Sequence, residues 1–312
     1  MDPQELSQAG WGVIFAPDVT EAVKEALAPL LELRKGQAGD LYKNFPEEKA
    51  FRPGDTKSSF LGRLGVGRGD VDPLKVPYYL LIVGDPKSIP YRFQYLLDVQ
   101  YAVGRIHFDD PDQYATYAAS VVKAEKQAAP QKRKAAFVGV RNPDDRSTAL
   151  STDNLVKPLC DRLKEQEKNW DWHCTLGEEA TKAKLTEFLG GSETPSLLFT
   201  ASHGMEFPLD DPRQLPHQGA LLCQNWPGPF KHRGRIPEEF YFAGTDVTAD
   251  ANVDGLIAFF FACYGGGTPK TDDFSHKLPG APKDIAPFPF VASLPKKLLG
   301  HPKGSPWQLL RT

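Results

Sequence analysis

Short apolar runs alternate with segments whose apolar positions recur every three or four residues. The run Trp11–Ala16 reads as a buried strand, and Val19, Val23, Leu27, Leu30 and Leu31 then mark one face of a helix. Residues 34–76 are polar and glycine-rich, and read as a long connection without a period. Tyr78–Gly84 is the clearest strand of the first half and stops in the turn Gly84–Asp85–Pro86. Tyr101–Ile106 predicts a shorter strand, followed by a helix from about Asp112 to Gln127. The polar stretch Ala128–Lys134, which contains Pro130, breaks the pattern and divides the chain into residues 1–130 and 131–312.

The alternation restarts with a strand at Ala135–Val140. A helix follows with Leu155, Val156, Leu159 and Leu163 on one side, and Pro158 is expected in its first turn. Trp172–Leu176 reads as a strand and residues 180–189 as a helix. Two strong apolar strands follow, Ser196–Ser202 and Leu256–Ala262. Strands alternating with helices predict an α/β protein with a mainly parallel sheet.

Bulk properties narrow the functional classes. At 312 residues the chain can bury about 75% of its unfolded surface, so no metal or disulfide is needed for stability. Lys and Arg number 37 against 40 Asp and Glu, with no dominating basic run, which argues against nucleic acid as a partner. No apolar window reaches the roughly 20 residues that cross a bilayer, and the first residues do not resemble a secretory leader. Cys160, Cys174, Cys223 and Cys263 show no paired spacing, so a reduced, cytoplasmic protein is expected. No CxxC or HxxxH spacing predicts a metal, and no cofactor is expected. Gly65–Gly69 is not a Walker pattern, and Gly-x-Ser-x-Gly does not occur.

The two strong strands end alike. One runs into His203–Gly204, the other into Cys263–Tyr264–Gly265–Gly266–Gly267. Functional groups of parallel sheets gather beyond the carboxyl ends of the strands. If these strands are neighbours, a thiol and an imidazole emerge side by side, as a nucleophile and its base require. Taken singly, a cysteine after an apolar strand is a small buried hydrophobe and His-Gly is a turn. The pair carries the reading. The N–H groups of Gly204 and Cys263 could form an oxyanion hole, in which one donor is worth about 3 kcal/mol.

Ala201–Ser202–His203–Gly204 and Phe261–Ala262–Cys263–Tyr264 resemble the two motifs of the caspase-like cysteine peptidases. Tyr78–Pro86, Ile89–Pro90 and Val103–Ile106 look like the N-terminal subdomain of the bacterial gingipain-like branch. The resemblance covers roughly residues 10–300. It implies a three-layer α/β/α sandwich in residues 131–312, preceded by a smaller α/β subdomain in 1–130. It also implies an endopeptidase in which His203 activates Cys263 to form a thioester with a protein or peptide substrate. Asp144 or Asp145 would orient the histidine; a solvated turn is the other reading of that pair.

Asp153 would select Arg or Lys before the scissile bond, and a helix N-cap is its competing role. Phe261 replaces an acidic residue found there in several basic-specific relatives. Trp226, in the long stretch between the motifs, either lines the substrate cleft or packs. A regulatory partner protein is expected, and a catalytically idle interaction module is the rival function. Pro289–Leu299 reads as an apolar helix-like segment, and Trp307–Leu310 is the one candidate for a further sheet strand, as in a shortened form of the fold.

Overall fold

The structure, a computed structural model, describes residues 1–67, 69, 71–126, 133–272, 283–304 and 308–311, the last four as backbone. Most of the expected break at 128–134 lies outside these, as do Arg68, Gln127 and Trp307.

Four parallel strands form the first sheet: β1 (Trp11–Phe15), β2 (Tyr42–Asn44), β3 (Tyr79–Val83) and β4 (Ala102–Ile106), in the order β2-β1-β3-β4. The central strands are buried on both faces, which is why they read as unbroken apolar runs. Helices Glu21–Ala38 and Pro111–Lys126 pack on one face through Leu27, Leu30, Tyr114, Ala118 and Val121. Phe45, Phe51, Phe60 and Phe93 fill the other. The stretch 34–76, read as featureless, contains β2 and the helix Lys57–Arg63. That helix begins in a reciprocal capping box between Thr56 and Ser59.

The second sheet has five described strands: β5 (Lys134–Gly139), β6 (Asp171–Leu176), β7 (Leu197–Ala201), β10 (Ile257–Phe261) and β13 (Gln308–Arg311). All pair in parallel, in the order β13-β10-β7-β5-β6. Between β7 and β10 lies an antiparallel pair, β8 (Leu221–Leu222) and β9 (Tyr241–Phe242), and β11 (Gly267–Thr268) pairs with β12 (Phe290–Val291). Phe137, Phe199 and Phe259 are in register on one face, their rings stacked at 5.6 and 5.1 Å. Full burial of one such ring is worth about 1.5–3 kcal/mol. Ala136, Val138, Leu198, Ala258 and Phe260 face the other way, onto helices Lys182–Phe188 and Ser293–Leu299. Helices on both faces of a parallel sheet make this half a three-layer α/β/α sandwich.

Three expectations change. The helix placed after β5 starts at Arg146, not near Pro158, and runs through Ser151, a π turn at Thr152–Val156, and Lys157–Gln166. Proline lacks the N–H that the carbonyl four residues back would accept. Here Lys157 N–H reaches Thr152 O, five residues back, and the wider turn accommodates Pro158. The segment Pro289–Leu299 is not all helix, because β12 occupies its start. Finally, Cys160 and Cys174 are disulfide-bonded, with Cα atoms 6.2 Å apart. The helix Lys157–Gln166 folds back over edge strand β6, and this return brings together two cysteines 14 residues apart. The fully reduced chain expected from spacing is therefore corrected.

The two sheets are joined by specific contacts. Tyr91 Oη donates to Phe290 O at 2.9 Å, and Lys296 Nζ lies 2.8 Å from Asp109. No helix among the described residues is long and apolar enough to cross a membrane.

Candidate active site

Strands β7 and β10 are direct neighbours, paired in parallel with Ala201 opposite Phe261. His203 and Cys263 each lie two residues beyond that pair, so both leave the same sheet edge in step. Ser202 N–H donates to Phe261 O at 3.2 Å, which keeps the two chains together past the end of the ladder. A Cβ placed on Gly204 would fall 1.7 Å from the Cys263 carbonyl oxygen. Only glycine permits that approach.

Beyond β7 the chain turns into an antiparallel contact with β8. Leu222 N–H donates to His203 O at 2.9 Å and Met205 N–H to Ala220 O at 2.8 Å. Gly204 sits between these bonds opposite Leu221, so its own N–H points away from β8. Among the described residues, neither the Gly204 nor the Cys263 N–H has a protein acceptor. Cys263 is exposed, and Tyr264 after it adopts φ 57°. A side chain on Gly219 would meet the Tyr264 carbonyl oxygen at 2.3 Å, so the turn is held by close backbone packing. Burial, with Glu206 and Cys263 nearby, pushes the Tyr264 hydroxyl up to about 12.

Of the two candidate aspartates, the structure brings Asp145 to the histidine. His203 Nε2 lies 2.7 Å from Asp145 Oδ2. Asp145 is the N-cap of the helix beginning at Arg146: its Oδ1 accepts Ser147 N–H at 3.0 Å, and its Oδ2 accepts the Thr148 hydroxyl at 2.9 Å. Burial by itself would raise this carboxyl; the Thr148 hydroxyl, the His203 ring and the Ser147 amide outweigh it and hold it below the ordinary aspartate value. Asp144 takes φ 58° in the preceding turn, a conformation aspartate tolerates better than most residues.

The remaining expected residues are placed as follows. Asp153 caps nothing, since it lies inside the π turn, and it pairs with Arg141 at 3.2 Å, both half-exposed. Trp226 is 8% exposed and packs with Met205, Phe207, Leu222 and Tyr241. Phe261 is 40% exposed at the end of β10. The patterns did not single out Thr148 or Asn142, which fix this corner. Asn142 N–H donates to Thr148 Oγ1 at 3.1 Å, and its side-chain amide reaches Cys223 O at 3.0 Å. An aspartate followed three residues later by threonine is a helix-start spacing that could have marked Asp145 and Thr148. Among the described residues, no group of His, Cys, Asp and Glu could hold a metal ion.

No protein-family model matches the chain, and no curated protein matches it either. Solved structures do. One is a protease structure, with TM-score 0.55 at 13% identity over 96% of this chain and 58% of that one. Another is the complex of Porphyromonas gingivalis RgpB pro- and mature domains, with TM-score 0.53 at 13% identity over 95% of this chain and 62% of that one. The chain thus spans about three-fifths of the length of these structures. Its fold is caspase-like, of the gingipain kind.

Proposed function

We propose that this chain, with its caspase-like fold, is a cysteine endopeptidase in which Cys263 attacks the substrate carbonyl. The observation that carries the proposal is the register of β7 and β10, which sends His203 and Cys263 out of one sheet edge together. A carboxylate only accepts hydrogen bonds, so in neutral His203 the proton sits on Nε2, facing Asp145. Nδ1 is then the basic nitrogen and takes the thiol proton. Asp145 fixes the tautomer and stabilises the imidazolium.

In the first step the thiolate adds to the carbonyl carbon, and the developing oxyanion is received by the Gly204 and Cys263 N–H groups. Collapse expels the amine, which takes its proton from His203 and leaves a thioester on Cys263. Water, deprotonated by His203, adds to the thioester, and collapse releases the carboxylic acid and regenerates the thiol.

A preference for Arg or Lys before the scissile bond rests on Asp153. Its partner Arg141 already shows the charge pairing that a substrate guanidinium would make. An exposed pair of this kind is worth at most about 1 kcal/mol, so a substrate cation can displace Arg141. Residues 1–130 and 131–312 serve as supporting and catalytic subdomains, and a regulatory polypeptide is the expected partner. The Cys160–Cys174 bond favours an oxidising compartment over the cytoplasm.

Alkylation tests the nucleophile. Cys223 is buried, and its thiol is pushed up to about 12 by burial, so it should not react. Iodoacetamide at neutral pH should modify Cys263 alone, much faster in the wild type than in His203→Ala, and should abolish cleavage of fluorogenic peptides. Labelling of Cys263 at the rate of a free thiol, indifferent to His203, would instead favour the idle interaction module.

A further inference from the structure

The loop from β8 to β9 is built as a rigid platform. Gly228 takes φ 93°, and a Cβ there would fall 2.1 Å from Pro143 O, so the loop rests on the turn that carries Asp144 and Asp145. The Asn142 side-chain amide reaches Trp226 O at 3.4 Å. His232 N–H donates to Gly228 O at 3.0 Å, its ring Nε2 lies 3.0 Å from Arg235 O, and the ring stands edge-on to Phe240. Arg235 pairs with Asp211 at 2.8 Å, and Arg213 donates to Ile236 O at 2.9 Å.

On this platform Phe230 is 71% exposed, flanked by exposed Lys231 and Arg233. Arg146, in the first turn of the helix capped by Asp145, is exposed nearby in the chain path. Among the described residues, Lys231, Arg233 and Arg146 have no carboxylate at ion-pair distance, whereas Arg235 and Arg141 do. Holding an aromatic ring and two uncompensated cations in water on a hydrogen-bonded loop brings no folding benefit. Asp144 shares the rim, and Glu238 and Glu239 lie at the far end, where the chain enters β9.

We propose that Phe230, Lys231 and Arg233 form a docking surface for an acidic stretch of substrate polypeptide carrying an apolar side chain, beside the His203–Asp145 side of the active site. The proposal rests on the peptidase reading for its position, but the docking itself does not need catalysis. Charges at the rim of an interface act mainly on encounter and salt dependence, and aromatic side chains between them supply the anchor.

Two measurements test it. The Cys263→Ala protein should bind a fluorescent peptide of Asp, Glu and Leu residues about tenfold tighter than the same peptide with Lys for Asp and Glu, and the difference should shrink as salt is raised. In the active protein, peptides with one scissile core and acidic or basic flanks should differ in kcat/KM through KM. The double variant Lys231→Glu, Arg233→Glu should collapse or invert both ratios, and Phe230→Ala should weaken binding to either peptide. Equal binding of the two peptides, or ratios untouched by the double variant, overturns the docking surface. Loss of all cleavage with the binding preference intact overturns the peptidase reading and leaves the surface standing.

Discussion

His203 Nε2 and Asp145 Oδ2 lie 2.7 Å apart, joining the end of β7 to the first turn of the helix that follows β5. One carboxylate therefore does two jobs, capping that helix through Oδ1 and orienting the imidazole through Oδ2.

The two jobs can be separated. Asp145→Asn retains an oxygen for the Ser147 amide, and Asn is as good an N-cap as Asp. It should cost less than about 1 kcal/mol of stability. Its side-chain amide cannot hold the same histidine tautomer reliably, so kcat/KM should fall about 100-fold, which is roughly 2.7 kcal/mol. Thermal unfolding beside peptide hydrolysis reads both. Equal small effects would remove Asp145 from the mechanism.

Gly204→Ala should be more damaging than its one added methyl suggests. The Cβ has nowhere to go but into the Cys263 backbone, so β7 and β10 must separate where the site is built. Alkylation of Cys263 should lose its dependence on His203, and the melting temperature should drop. A fully active, fully stable alanine variant would contradict the close approach.

Acid should weaken the fold through named carboxyls. Asp211 is held well below its ordinary value by its hydrogen bonds from Arg213 and, further, from Arg235. Burial would raise Asp55, but the Arg63 side chain, the Arg52 amide and Ser59 hold it low, as Asp145 is held by Thr148 and His203. Each folded carboxyl lies below its unfolded value of about 3.9, so the unfolded chain binds more protons. Their stabilisation is complete above about pH 4 and is lost as pH falls through the folded values. Denaturant titrations at pH 7, 4 and 3 should show the loss, and Asp211→Asn should flatten that slope while lowering stability at pH 7.

Opening the Cys160–Cys174 bond should destabilise the chain by about 3 kcal/mol, the value for a loop of this length. Denaturant curves with and without a reducing agent measure it. Cys160→Ala should match the reduced protein, and its unfolding should no longer respond to reductant.

What could be read from the chain follows what was buried. Strands β1, β3, β5, β7 and β10 were legible because central parallel strands hide both faces and leave unbroken apolar runs. Strands β2, β8 and β9 have two or three residues, too few to show a period. His203 and Cys263 were visible as residue types after two strands, while the neighbourhood of those strands needed the fold. Asp144 and Asp145 are adjacent and alike in sequence. The backbone separates them, turning one through a positive φ and giving the other the helix start. Asp153 read as a cap because Pro158 looked like a helix beginning, and the π turn that admits this proline carries no composition of its own.

That turn also sets the helix's angular phase. One residue advances an α-helix by about 100°, so the extra residue absorbed at Thr152–Val156 rotates everything after it relative to everything before. Upstream, Asp145 faces the histidine; downstream, Cys160 faces β6. Deleting a single residue within the turn would straighten the helix and leave the capped end in place. The cysteine would then swing about 100° off its partner strand, and a protein with all its functional side chains would lose the bond that clamps its edge.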